Sequence, residues 1–340
     1  MATAVRSSTE ISEKHRIPTL DGWRGVAILL VLVGHFSQRI YPSEPRWVSH
    51  ISQHGVAIFF VLSGFLITTL LTGERQRCGS INLWRFYVRR LFRLMPCAWC
   101  YLAALPLMEA RERLKLFNYS EILGCLFFFR NYLDHASQHP ITAHFWSLSI
   151  EEQFYLFWPS MLVLLGGRRS LRLALTCAVL IAAWRFLHWT ELSQSRFMVS
   201  TGTQYRADAL LVGCASALTM PHIKPLLRPW MVLPILAAIG WCVVRNPDLI
   251  PLHESILIAL LLMATSQCET SLFRPLDWKP IAFLGTISYS IYIWQQPFTL
   301  FSDYSLSSVL FLTLPKLLIV SCASFYCVER PMIRLGRRFL

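Results

Sequence analysis

Long apolar runs, each close to the length of a bilayer crossing, alternate along this chain with short polar connectors rich in arginine. A helix needs about 20 residues to cross the hydrocarbon core. The runs predict ten such helices, at 18–38, 53–73, 94–109, 146–166, 172–189, 205–221, 229–245, 253–269, 281–301 and 307–328. The expected fold class is therefore all-α, a polytopic membrane helix bundle of about ten transmembrane helices. The segment 121–133 stands apart. Its apolar stretch, Ile122 to Phe129, is only eight residues long, which fits a short span, a re-entrant piece or an interfacial helix. No repeat or low-complexity tract interrupts the pattern. One membrane domain is expected at 18–331, between an N-terminal tail at 1–17 and a basic tail at 332–340, both cytoplasmic.

Composition sharpens this picture. Hydrophobic residues make up 54% of the chain and charged residues 15%, where a soluble domain carries about 25% charge. The mean hydropathy is +0.46. A net charge of +13 would suggest nucleic acid, but the basic residues sit in short clusters between apolar runs, so no nucleic-acid partner is expected. With a cytoplasmic N-terminus and a non-crossing 121–133, five basic stretches all fall on the cytoplasmic side. They are Arg75 to Arg93, Arg168/Arg169/Arg172, His222 to Arg228, Arg274/Lys279 and Arg330 to Arg338. The loops at 39–52, 190–204 and 246–252 face outward and are poorer in Lys and Arg, as the positive-inside rule requires. Met1 to Arg16 has no apolar core of a signal peptide, so the first span is expected to act as its own insertion signal. Cys97-Ala-Trp-Cys100 has metal-site spacing but no second pair, and no metal site is expected.

Four motifs carry candidate chemistry. In the first span, Arg24 and His35 are eleven residues apart, three helical turns plus about 20°, so they share one face about 16 Å apart along the axis. Ionisable residues in a span are costly and default to function. Next, Arg89, Arg90 and Arg93 crowd one helical surface at i,i+3 and i,i+4 spacing. Clustered guanidiniums repel one another until an anion neutralises them, and phosphate suits their planar fork. Gripping lipid headgroups is the competing reading. Third, Ser147, Glu151 and Tyr155 form a polar stripe, with Glu152 beside Glu151; helix capping would be the bland role of these carboxylates. Fourth, Arg206 and Asp208 enter an apolar run, where a structural ion pair is the commoner explanation.

Together these motifs resemble acyltransferase family 3, the membrane O-acyltransferases that include bacterial O-antigen, exopolysaccharide and Nod-factor O-acetylases. The resemblance runs from about Pro18 to Pro331. It rests on Leu20-Asp21-Gly22-Trp23-Arg24-Gly25 with the following His35, on His54 to Ile67, on Arg90-x-x-Arg93, and on the Trp146–Tyr155 and Arg206–Gly213 stretches. Gly285 to Trp294 and Glu329-Arg330-Pro331 complete it. One departure is visible. The family commonly has Trp-His-x-Pro where this chain reads Trp294-Gln295-Gln296-Pro297, so no second catalytic His is expected there.

The resemblance implies transfer from cytoplasmic acyl-CoA, expected to be acetyl-CoA, acting as co-substrate with no bound cofactor. The acceptor is a hydroxyl of an extracytoplasmic carbohydrate or lipid-linked glycan such as exopolysaccharide or lipopolysaccharide O-antigen. The expected location is a cell membrane, as a multi-pass protein of the bacterial inner membrane. His35 would be the base, with an acyl-His intermediate as a variant, and Glu151 or Asp208 would orient its ring or hold the sugar. Arg24, Arg89, Arg90 and Arg93 would hold the donor, and Ser147, Tyr155 and Arg206 the acceptor. A secondary transporter or flippase, or an acyltransferase acting on a small secreted metabolite, are the rival readings.

Overall fold

The computed structural model describes residues 18–41, 46–112, 118–134, 138–191, 196–245, 251–267, 275–301 and 305–339. The N-terminal tail, Arg274 and the centre of the 246–252 loop lie outside these residues. Among the described residues every regular element is helical. The helices are α1 (Pro18–Ile40), α2 (Arg46–Cys78), α3 (Leu83–Glu112), α4 (Tyr119–Leu126), α5 (Phe145–Glu191), α6 (Asp208–Ile223), α7 (Val232–Arg245), α8 (Leu252–Gln267), α9 (Lys279–Thr286) and α10 (Ser288–Leu300). The last, α11 (Leu306–Phe339), contains two π-helical turns, Val309–Thr313 and Phe325–Glu329.

The chain is a polytopic helical bundle, and its rods differ in length. Among the described residues five helices are long and apolar enough to cross a membrane: those at Thr19–Ile40, His50–Cys78, Leu83–Arg111, Phe145–His188 and Leu306–Phe339. The fourth covers two of the expected spans. Gly166 interrupts α5 with φ 71 and ψ 174, a left-handed backbone that glycine adopts without a Cβ clash. The segments read as spans six and seven are joined by a bend of 117°. The expected span at 281–301 is divided at Ile287, between α9 and α10. Runs of apolar residues show where the chain leaves water. They do not show where a rod breaks inside the bundle.

The segment at 118–144 folds back on itself. Its eight-residue α4 extends only about 12 Å, far short of the roughly 30 Å hydrocarbon core. Arg130 holds the turn together from inside. It is 2% exposed and donates from Nε to the Thr142 hydroxyl at 2.8 Å, from one amino group to the Ala143 carbonyl at 3.2 Å, and from the other to the His139 carbonyl at 3.1 Å. Its Glu121 partner, 3.4 Å away, also accepts from Thr142. Gln153 of α5 ties the turn down by donating to the Phe128 carbonyl at 2.7 Å. This anchoring fixes the entrance to α5.

The core is built by α1 against α2, α2 against α6, α9 against α1 and α5 against α6. Close approach at the α2–α6 crossing needs glycine on both sides. A Cβ on Gly64 would sit 2.0 Å from the Leu210 carbonyl oxygen, and one on Gly213 2.2 Å from that of Val61. Small residues at such crossings let backbones touch where lipid supplies no hydrophobic drive.

Candidate active site

Two cavities are hollowed into the bundle and share a wall. The first contains about 720 Å³ free of protein atoms. Arg24 enters it from α1, Arg90 and Arg93 from α3, Ser147 and Glu151 from α5, and Tyr289 and Tyr292 from α10. The helical spacing that placed Arg90 and Arg93 on one face thus delivers both into one void, where Arg24 joins them. The Arg90 guanidinium carbon lies 3.5 Å over the Tyr155 ring. Arg90 Nε is 3.9 Å from Glu152 Oε1, buried and without a hydrogen-bond partner. Arg24 has Asp21 at 3.7 Å. Arg93 has no carboxylate within ion-pair distance among the described residues. Glu151 accepts from the Ser63 hydroxyl at 2.9 Å. The cavity lining thus presents three guanidiniums and one carboxylate, Glu151, with Asp21 and Glu152 beside Arg24 and Arg90, so that among the described residues Arg93 is the cation left without an ion pair for an anionic ligand.

The second cavity, about 320 Å³, is lined by His35, Gln53, Ala143, His144, Trp146 and Gln296, among others, and has Val56 and Tyr292 in common with the first. It draws on the far end of α1 and the start of α2, whereas the arginine cavity draws on the near end of α1. The eleven-residue separation of Arg24 and His35 is what places one residue in each chamber. Tyr292 stands between them. Its hydroxyl is 2.5 Å from that of Ser147, and both lie 3.2 Å from the His144 carbonyl oxygen. The Phe59 ring meets the Tyr292 ring edge-on, with centroids 6.4 Å apart.

His35 Nδ1 lies 3.2 Å from the amide oxygen of Gln295. Arg206 does not itself line this chamber; it is buried against two residues that do, donating to the Gln53 amide oxygen at 3.3 Å with its guanidinium carbon 5.6 Å over the Trp146 ring. His144 is buried, packed edge-on against Tyr101 and Tyr292.

Several expected roles change. The ring-orienting carboxylates are elsewhere: Asp208 is bound through both oxygens by Arg185, each contact 2.8 Å, with both side chains buried. This is the structural ion pair, since a buried carboxylate needs a fixed counter-charge. Glu151 faces the arginine cavity with Ser63. Arg89 is not part of that cavity; it lies at the surface 3.7 Å from Glu74. Tyr155 lies under the Arg90 guanidinium, and Ser147 lines the arginine cavity, hydrogen-bonded to Tyr292 of the shared wall. Gln295, His144, Gln53 and Arg185 were not singled out from sequence. Gln295 alone had a signal, in the departure from Trp-His-x-Pro. His144 directly precedes the Phe145-Trp146 motif, but a lone His gives no hint of burial.

The chain matches the family model of the acyltransferase domain, Acyl_transf_3, over residues 17–328. It is 29% identical to the putative peptidoglycan O-acetyltransferase YrhL of Bacillus subtilis, covering 96% of this chain and 56% of that protein. It is 28% identical to the peptidoglycan O-acetyltransferase OatA of Listeria monocytogenes, over 86% of this chain and 51% of that one. Identity to the O-acetyltransferase OatA of Staphylococcus aureus is 30%, over 84% and 51%. The chain thus spans about half the length of these relatives. No solved structure matches it. Matched from the Arg24–His35 helix through the end of the bundle, this chain belongs to the family 3 membrane acyltransferases.

Proposed function

We propose that this protein is an integral-membrane O-acyltransferase that moves an acetyl group from acetyl-CoA to a hydroxyl of an extracytoplasmic cell-wall or surface glycan. The observation that carries this reading is the pair of chambers sharing one wall, arginines on one side and His35 on the other. In this reading Arg24, Arg90 and Arg93 hold the phosphates of CoA from the cytoplasmic side. The thin pantetheine arm directs its thioester toward the Tyr292 wall. The glycan hydroxyl enters the opposite chamber, where Gln53, held by Arg206, and Trp146 supply polar and stacking contacts.

His35 Nε2 takes the hydroxyl proton as the oxygen attacks the thioester carbonyl carbon. The tetrahedral intermediate collapses with cleavage of the C–S bond, and the imidazolium returns the proton to the leaving CoA thiolate. The product is an O-acetyl ester plus free CoA. An imidazole suits both transfers because its ordinary pKa lies near the working pH. The names of the relatives favour a peptidoglycan-type acceptor, and family membership favours group transfer over transport.

The test compares surface glycans of cells carrying the wild-type gene, no gene, or His35→Ala. Mass spectrometry is expected to show one acetyl increment per modified sugar with the wild type alone, with His35→Ala protein present in the membrane at normal levels. Acetylation by well-folded His35→Ala protein would remove His35 as the base.

A further inference from the structure

We infer that Gln295 is a positioning residue that fixes the tautomer of His35, with the Nδ1 proton held by the Gln295 amide oxygen and the Nε2 lone pair left for the acceptor. This deepens the proposed function and rests on His35 being its base. Gln295 is fully buried on α10, 260 residues from His35 in sequence. Its amide oxygen, 3.2 Å from Nδ1, is the ring's one hydrogen-bond partner among the described residues. Its amide nitrogen is buried without a partner, so the side chain's polar function is spent on His35.

An amide oxygen only accepts. A neutral imidazole meeting it at Nδ1 must carry its proton there, which leaves Nε2 unprotonated. With the amide reversed, the proton would move to Nε2 and the ring would have no lone pair for the hydroxyl. Gln295 also differs from the carboxylate that often orients such a ring. It directs the proton with a dipole and places no permanent negative charge behind the imidazolium formed in the reaction. The proton is therefore held loosely enough to pass on to the thiolate. With the carboxylates of Asp208 and Glu151 engaged by Arg185 and Ser63, the neutral amide performs the orienting task alone.

The test begins with the full-length protein, labelled with 15N-histidine, in lipid nanodiscs, with the His35 signal assigned by difference from His35→Gln. Wild type is expected to show the Nδ1–H tautomer, and Gln295→Leu a mixed or inverted population. An Nε2–H tautomer in wild type overturns the inference without any Gln295 variant having to fold. The second measurement is transfer from acetyl-CoA to soluble peptidoglycan fragments. Gln295→Leu should lower kcat roughly 10–100-fold, a part of the roughly 100- to 10,000-fold that general-base catalysis supplies because the base itself remains, with KM for acetyl-CoA within about twofold. Gln295→Glu should recover much of the rate, because its oxygen accepts the same proton. Full activity in Gln295→Leu beside an inactive His35→Gln sinks the inference alone, whereas activity in His35→Gln sinks the base assignment.

Discussion

Replacing Arg90 and Arg93 together with lysine separates a donor site from a headgroup-gripping surface. Both guanidiniums line the larger cavity. The Arg90 guanidinium carbon sits 3.5 Å over the Tyr155 ring with Nε unsatisfied, and Arg93 has no ion-pair partner among the described residues. Lysine keeps the charge but loses the planar fork and the stacked geometry. A charge-assisted hydrogen bond contributes roughly 1.5–3 kcal/mol. Losing one such contact at each position totals about 3–6 kcal/mol, and neighbouring sites couple, so the lower end is the safer expectation. That corresponds to about a 100-fold weaker Kd for CoA. The assay is isothermal titration of CoA into purified protein in lipid nanodiscs, with pantetheine, which has no phosphates, as the control ligand. Pantetheine binding should be little changed. Arg89→Lys, at the surface beside Glu74, should stay within about twofold for both ligands. An unchanged CoA Kd in the double variant would refute the phosphate assignment. An equal loss for pantetheine would show instead that the cavity had collapsed.

Two further outcomes are expected. Arg130→Met leaves Glu121 buried without its cation, and breaking such a pair costs about 3–5 kcal/mol; thermal unfolding in detergent should show a clear drop in Tm, partly restored by adding Glu121→Gln, and an unchanged Tm would contradict the anchoring role. Reporters fused after Leu340 and inserted near Arg169 should both give cytoplasmic signals, and an external signal at Arg169 would mean that 121–133 crosses the membrane.

The parts of this architecture written in the sequence are those governed by short-range periodicity. Apolar runs mark the helices, and helical spacing puts Arg24 and His35 on one face and Arg90 beside Arg93. What escaped depends on distant packing. Arg185 answers Asp208 because α5 passes the start of α6, and nothing near either residue announces it. Gln295 meets His35 across 260 residues, and Glu151 is drawn to Ser63 instead of the imidazole. Breaks such as Ile287 leave hydropathy unchanged and so stay hidden from an apolar-run reading. Gly166, one of a Gly-Gly pair, was visible as an end to a span but not as a left-handed hinge.

The wall between the chambers has a bearing on the membrane as a whole. A bundle hollowed by two chambers is only a thin wall away from being a pore, and its polar linings would readily carry a file of water. Val56 and Tyr292, backed by Phe59, interrupt that file with a layer of apolar and aromatic surface. The same residues that separate the two chambers would thus insulate the ion gradient. Enlarging the passage to admit a bulkier acyl group would then carry a penalty unrelated to catalysis, a steady proton leak across the bilayer.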